Sequence, residues 1–565
     1  MPFSGYSAWG LFEEFDSTAP LCEYHAIART VGTMGTALAT NPEPGTSQAE
    51  IKAPPVAKLR VFPKPAPKTK SAPRTKPKAK VGLRAWMERV LVECDRAAAG
   101  FEADPVHDLR VALRRCRSLA DGLMAMDSHP SWKEMKKAGR KLFRALGELR
   151  DMQVMQEWIE KLTDTGGGVA DPVAAKLLDH VHAREAECKQ LAWKDLNQFD
   201  KKHWRQWSRT LPGRAGRVRP GSVVYRHLAL EKWMAAYELH KRAARTRSQA
   251  ALHELRIGIK RFRYTVENFL PDQHARWGKD LKELQDLLGE VHDLDVLWAT
   301  GLQIQAFPDV ESRKRWHEKI QRERRRRVDR YRELMIGKHS LWRVWRAELP
   351  AGGELRAAAL TRLRAWASYL DTDFAHTQRV AQMSVRLYDG LQQAGLLKEE
   401  AEPASREILQ AAAFMHDVGK SRGHNKHQKT SFRMIRRLPP PLGWSAPDLE
   451  LAAVVARYHR GALPRPRGKN LQRLELPDRR MALELAGILR LARTLDLAHG
   501  KSARLAVDAR NDIVVLHVQG YSPLERRANK IAAARHLLET ALRKPVMIRG
   551  MATPRATRRT TRRIH

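Results

Sequence analysis

Val106-His-Asp-Leu-Arg-Val-Ala-Leu-Arg-Arg-Cys-Arg117 is answered later in the chain by Leu252-His-Glu-Leu-Arg-Ile-Gly-Ile-Lys-Arg-Phe-Arg263. In the first stretch His107, Arg110, Arg114 and Arg117 follow one another at steps of three, four and three residues. A helix of about 3.6 residues per turn puts all four on one face. Leu109, Leu113, Cys116 and Ala120 form an apolar face beside them. His253, Arg256, Lys260 and Arg263 repeat the pattern, and Arg115 and Arg261 widen each stripe. A second basic row follows in each copy: Lys137, Arg140 and Arg144, then Lys279 and Lys282.

The repeat continues in the same order. Leu146-Gly-Glu-Leu-Arg-Asp151 is matched by Leu288-Gly-Glu-Val-His-Asp293, and Trp204-Arg-Gln-Trp207 by Trp342-Arg-Val-Trp345. The spacing therefore predicts a duplicated helical unit. Like charges at i, i+4 cost a few tenths of a kcal/mol per pair, and a merely solvated face usually intersperses acids. Basic stripes kept in register in both copies point instead to an anion. Guanidinium forks and ammonium groups suit phosphate oxygens. Base readout needs stacking aromatics or groove-fitting helices, whereas most of the 15 Trp sit at helical spacing among apolar residues. A linear phosphate polymer without bases fits these residues best.

The chain has 565 residues, enough for two or three domains. Lys plus Arg number 103 against 63 Asp plus Glu, a net charge of +40 that calls for a polyanionic partner. A hydrophobic content of 43% excludes a wholly disordered chain, and no apolar run approaches the length of a membrane span. Glu13, Glu14 and Asp16 stand where a signal peptide would be basic and then apolar. Cys22, Cys94, Cys116 and Cys188 are too few and scattered for a disulfide framework or a CxxC zinc site, so a reduced, cytoplasmic setting is expected.

Residues 1–80 read as a disordered basic arm, because 51–80 contain Pro, Ala, Thr, Lys and Arg but no acid. Such an arm could also engage nucleic acid. Helical periodicity starts near Val81 and is broken at Thr165–Gly168, at Leu211–Ser222 and at Pro350–Gly353. The expected organisation is a duplicated helical domain over 81–347 (halves 81–210 and 223–347), a linker at 348–358, a helical domain over 359–550 and a basic disordered tail at 551–565. Leu505–Val507 and Ile513–Val518 flank Asn511-Asp512 as a hairpin. A helix from Leu524 and a strand at Pro545–Ile548 follow. The fold class is mainly α, with a small hairpin, helix and strand unit at its end.

At the duplicated His-x-x-Arg-x-x-x-(Arg/Lys)-Arg-x-Arg pattern, with Leu-Gly-x-x-(Arg/His)-Asp downstream, the chain resembles the CHAD domain (conserved histidine α-helical domain). The resemblance runs over about Val81 to Ala347. It implies two helical bundles related by pseudo-twofold symmetry, whose basic residues line a central groove for inorganic polyphosphate. It also implies association with polyphosphate granules. By matching position the contacts would be His107, Arg110, Arg114, Arg117, Lys137, Arg140 and their second-half equivalents. The halves differ at Gln153, which stands opposite Asp295.

The C-terminal half offers His376-Thr-Gln-Arg-Val380, Ala413-Phe-Met-His416-Asp417-Val-Gly-Lys420, His424, His427 and Arg457-Tyr-His459-Arg460. Imidazoles and a carboxylate so grouped can hold a divalent metal that activates water against a phosphate ester. A hydrogen-bonded core pair is the alternative for His416 and Asp417. The stretch resembles an HD domain, and more narrowly the C-terminal domain of the exopolyphosphatase/guanosine-pentaphosphatase family. Ala456-Arg-Tyr-His-Arg460 and Ile488-Leu-Arg-Leu-Ala-Arg-Thr-Leu-Asp496 are the nearest matches.

What the resemblance implies here is a divalent metal on His376, His416, Asp417 and a final Asp. The final Ala-Asp pair of catalytic HD domains is Ala492-Arg493 here, and the nearest carboxylate, Asp496, comes three residues later. Arg493 thus puts a cation where a ligand is needed, and exopolyphosphatase activity is not implied. The leading expectation is a polyphosphate-binding protein with an accessory or regulatory HD-like domain. The alternatives are a metal-dependent HD-type phosphohydrolase acting on polyphosphate or a phosphorylated nucleotide, and a nucleic-acid-associated basic protein, suggested by the arm and by Arg324–Arg327.

Overall fold

The computed structural model describes residues 82–163, 171–397, 404–496, 504–510 and 512–551. The expected arm, the Thr165–Gly168 break and all but the first residue of the expected tail lie outside them. The fold is mainly α, with one small sheet near the C-terminus. The first copy of the repeat forms α1 (Leu83–Ala97), α2 (Ala103–Met124), α3 (Pro130–Ala138), α4 (Arg140–Thr163), α5 (Pro172–Asn197) and α6 (Lys201–Ala215). The second forms α7 (Val223–Thr246), α8 (Gln249–Phe269), α9 (Pro271–Gln303), α10 (Val310–Met335) and α11 (Leu341–Ala347). One long helix, α9, answers both α3 and α4, which part at Gly139.

Across the repeat α2 packs on α8 and α4 packs on α9, each on its own counterpart. Leu109, Leu113, Cys116 and Ala120 of α2 share one core with Leu255, Ile259, Phe262 and Val266 of α8. Gly122 makes the close approach possible, because a Cβ there would fall on the Phe269 ring. The repeated tryptophans close the far side: Trp204 is buried between α6 and α1 and donates to the Met87 carbonyl at 3.0 Å, and Trp342 and Trp345 are buried in the same core.

Three boundaries differ from the sequence expectation. The segment expected as a linker from Leu211 is helical to Ala215, with Pro212 inside α6. Buried Leu211 and the paired Arg214, which donates to both Asp127 oxygens at 2.6 Å, anchor this last turn and offset the hydrogen bond that Pro212 cannot donate. The segment expected as a linker at 348–358 is helical from Gly352. The helix expected from Leu524 starts at Ala528, after a turn in which Ser522 Oγ accepts from the Leu524 N–H.

Beyond Leu349 the chain forms α12 (Gly352–Leu370), α13 (Phe374–Gln393), α14 (Ala404–Met415), a 3₁₀ turn at Val418–Arg422, α15 (His427–Ile435), α16 (Ala446–Arg457) and α17 (Leu476–Thr494). Then come β1 (Leu505–Arg510), β2 (Ile513–Val518), α18 (Ala528–Leu542) and β3 (Val546–Gly550). β1 pairs antiparallel with β2, Leu505 opposite Val518, and β3 runs parallel to β2 on its other edge. These elements close over a second core. α12 packs on α7, where buried His227 bonds the Leu442 carbonyl at 2.9 Å and Tyr369 donates to the Arg214 carbonyl at 3.0 Å. No helix among the described residues is long and apolar enough to cross a membrane.

Gly122→Val should force α2 away from Phe269 and lower stability by about 1–3 kcal/mol. Gly289, whose Cβ position meets nothing within 4 Å, should accept alanine without loss. Urea midpoints of the two variants test this.

Candidate functional site

Packing α2 on α8 brings the two basic stripes together. The Arg114 guanidinium reaches across to the second copy and lies 5.4 Å from the centre of the Tyr264 ring. Arg110, Arg114 and Arg256 all bear on the Lys260 ammonium, and Asp151 of α4 feels Arg110, Arg256 and Lys260 at once. Asp151 is solvent-exposed and Arg110, Arg256, Lys260 and Asp293 are partly so. Yet protein surrounds Arg110, Asp151, Lys260 and Asp293 closely enough to desolvate their charges. Groups hemmed in on most sides but open to solvent line the floor of a concave basin.

Its electrostatics follow from that shape. Burial, reinforced by Arg256, Arg114 and Arg110, pulls Lys260 down to about 7. Burial pushes Asp293 up to about 7, Arg256 opposing and Asp151 adding to the rise. Burial and then Arg256 take His292 down to about 3, its ring 4.7 Å from that of His253. Burial followed by Arg150 lowers His107, and burial followed by Arg256 lowers His253, so both stay neutral at the rim. Among the described residues no carboxylate comes within 4.0 Å of Arg110, Arg114, Arg256 or Lys260. Arg110 Nη1 and Arg114 Nε are shielded from solvent without a hydrogen-bond partner.

The remaining stripe residues do not converge there. Arg115 pairs with Glu267, and Arg263 lies 4.0 Å from the same carboxylate. Arg117 donates to the Lys136 carbonyl at 3.3 Å, with Asp121 beside it. Lys137, Arg140, Arg144 and Arg261 are exposed. Lys282 pairs with Asp286 at 2.6 Å, and Lys279 shares a shallow hollow with Glu283, Asp286 and Glu290. In the arginine run of α10, Arg324 pairs with Asp295, and Arg327 is buried against Glu290, Glu323 and Trp158. Only Arg325 and Arg326 of that run remain exposed, so it does not extend the basin.

Arg150, Asp151, His292, Asp293 and Tyr264 join the basin without having been singled out as site residues. For the first four the signal was the duplicated Leu-Gly-x-x-(Arg/His)-Asp block, which marks the repeat but does not by itself say which way its polar end points; Tyr264 directly follows the second stripe. The glycines of the block are not equivalent. A Cβ on Gly147 would lie 2.7 Å from Arg110 Nη1, so the bare backbone there is the seat of that guanidinium. Phe143 flanks it, 5.3 Å from Arg110 and 5.1 Å from Arg117.

His376, His416, His427 and His459 gather with Asp417 in a separate pocket, whereas His424 is exposed. His416, Asp417, His427 and His459 are each at most 1% exposed. Gly419 makes the assembly possible: a Cβ there would collide with the His427 carbonyl and Ser431, whose hydroxyl donates to the His416 carbonyl at 2.7 Å. His376, His416 and Asp417 bring potential ligand atoms within 4.8 Å of one another, and so do Asp417, His427 and His459. Asp496 belongs to neither group. It accepts from His376 Nδ1 at 2.7 Å and from Arg379 at 2.9 and 3.0 Å, and so orients His376.

Burial alone would raise the Asp417 carboxyl, but His416, His427 and His459 outweigh it and hold it far below the carboxylate range. Burial followed by His416 drives His459 well below the usual histidine value. Lys420 pairs with Asp417 Oδ2, and Arg493, at the position expected for a final ligand, acts on both Asp417 and His459.

Residues 82–301 match the model of the CHAD domain, and residues 356–518 match that of the Ppx/GppA phosphatase, domain III. A bifunctional uridylyltransferase/uridylyl-removing enzyme of Nitrobacter winogradskyi is 31% identical over 104 residues. That alignment covers 18% of this chain and 11% of the enzyme, so the chain spans about a tenth of that relative. The crystal structure of the CHAD domain from the plant Ricinus communis aligns at 21% identity and a TM-score of 0.32, covering 48% of this chain and 90% of its own. With its duplicated basic helices and its histidine pocket, the chain is a CHAD-domain protein that carries a Ppx/GppA phosphatase domain III.

Proposed function

We propose that the protein binds inorganic polyphosphate in the basin between α2 and α8, with the C-terminal domain as an accessory or regulatory module. Both domains suggest a polyphosphate-related role. The observation that carries the finer reading is the set of unpartnered cations, Arg110, Arg114, Arg256 and Lys260, contributed by both copies to one open floor. Their desolvation is offset only when an anion arrives. A phosphate chain can lie across all four in turn, with His107 and His253 at the rim. Lys137, Arg140, Arg144 and Arg261 would guide its approach. A protein of this kind would sit on polyphosphate granules. Nucleic acid is the weaker reading, because the arginine run of α10 is largely spent in ion pairs.

The direct experiment measures polyphosphate affinity against salt for the full chain and for a variant with Arg110, Arg114, Arg256 and Lys260 changed to Glu. Intact protein should weaken steeply with salt, and the variant should lose binding while its helical circular dichroism persists. Neutralising the same four residues should lower the salt slope by about 3, at roughly 0.7 per phosphate contact of a single strand. Unchanged affinity in the folded variant would overturn the basin as the site. Tighter binding of DNA than of polyphosphate at physiological salt would turn the assignment to nucleic acid.

Two finer outcomes follow. Gly147→Ala should displace Arg110 and weaken polyphosphate binding several-fold, while Gly289→Ala should leave it unchanged; paired titrations check this. Affinity should also fall as pH rises from 6 to 8. Below about 7 Lys260 is protonated and Asp293 neutral, and above it Lys260 loses its charge while Asp293 gains one. Two charges lost from the basin amount to roughly tenfold in affinity at an effective dielectric between those of surface and bulk water. Lys260→Arg, which keeps its charge throughout, should flatten the profile.

A further inference from the structure

Where the C-terminal domain docks, α7 presents His227, Glu231 and Lys232 between α8 and α12, on both of which it packs. His227 is fully buried and bonds the Leu442 carbonyl through Nε2. A carbonyl can only accept, so Nε2 carries the proton, and Nδ1 is left to Arg362 Nη1 at 3.4 Å. Burial lowers this histidine, which therefore stays neutral. The same Arg362 nitrogen donates to Glu231.

Both carboxylates that act on Lys232 are thus engaged elsewhere. Glu231 is held by Arg362, and Asp121 pairs with Lys136. Among the described residues no carboxylate comes within 4.0 Å of Lys232 or Arg261, and Nε and Nη2 of Arg362 have no hydrogen-bond partner. Protein nevertheless crowds the Lys232 ammonium. Burial pulls it below the ordinary lysine value, Glu231 opposes the fall, and Arg261 and Arg362 add to it. Lys232 and Arg362 are partly exposed and Arg261 is exposed, so all three can be reached from solvent.

We propose that Lys232, Arg261 and Arg362 form a second anion site, at the seam of the two helical domains, for a pyrophosphate group carried by a nucleotide or by the end of a phosphate chain. A cation crowded by protein without a partner is costly, and an arriving anion offsets that cost. An ammonium flanked by two guanidiniums suits phosphoryl oxygens. Two linked phosphoryl groups let one ligand meet Arg261 of α8 and Arg362 of α12 together. Lys232 and Arg261 belong to the duplicated domain and Arg362 to the C-terminal one, so the ligand ties the two domains to each other. Arg261 also stands at the approach to the basin; Lys232 and Arg362 have no part there.

The test uses the full chain with Arg110, Arg114, Arg256 and Lys260 changed to Glu, so that the basin does not take up the probe. Pyrophosphate should bind this protein in calorimetry and raise its melting temperature. Adding Lys232→Met should weaken the binding by about ten- to a hundredfold, the worth of a hydrogen bond to a charged group. Arg362→Gln, which frees Glu231 for Lys232, should do the same, and Arg217→Gln, which removes an exposed arginine beside Tyr369, should not. GDP is titrated in parallel. Tighter GDP binding that Lys232→Met removes identifies a nucleotide, equal affinity identifies a phosphate-chain end, and both support the site. Absence of pyrophosphate and GDP binding by the folded protein overturns it, as does binding that Lys232→Met leaves intact. Where the protein with four Glu does not fold, the one with Gln at the same four positions takes its place. In the otherwise unaltered chain Lys232→Met should keep polyphosphate affinity, so failure of this site and failure of the basin are read separately.

Discussion

The apolar contact between α2 and α8 is the constraint on which the basin depends. It presses two helices together whose adjoining faces carry like charge. Burying Leu109, Leu113, Leu255, Ile259 and Phe262 contributes about 1.5–3 kcal/mol each. A pair of like charges about 4 Å apart at a protein surface repels by about 4 kcal/mol, less than these five side chains contribute together. The core therefore wins, and Gly122 sets how near the helices come. Cations that would spread apart on a free surface are held in one place, ready for an anion to relieve the repulsion.

Carboxylates complete the arrangement without neutralising it. Glu267 takes up Arg115 and borders Arg263, and Asp121 stands by Arg117, so the far end of each stripe is compensated. Asp151 and Asp293 lie among the central cations but pair directly with none of Arg110, Arg114, Arg256 or Lys260. The two copies also diverge. Gly147 seats Arg110, while the matching Gly289 has no side chain over it. A near-symmetric frame thus carries two unlike halves of one basin.

The histidine pocket is organised by backbone more than by charge. Carbonyls of Ala413, His424 and Ala456 set the tautomers of three imidazoles, and Gly419 lets the 3₁₀ turn press against α15. Lys420 pairs with Asp417 Oδ2, His427 and His459 face Oδ1, and Arg493 acts on both Asp417 and His459.

By itself the sequence determined the mainly helical fold, its duplication and the faces of the stripes. Periodicity and repetition are local properties, readable at three-and-four spacing. The histidines and Asp417 were also visible as residue types suited to a metal. Only tertiary structure decided which cations stay unpaired, because Glu267 reaches Arg115 from the other copy and Asp295 reaches Arg324 from another helix. It alone decided that Asp496 supports His376 and that His427 and His459, 32 residues apart in sequence, share Asp417 Oδ1. Pairing between distant elements depends on how the cores dock, and no spacing along one helix encodes that.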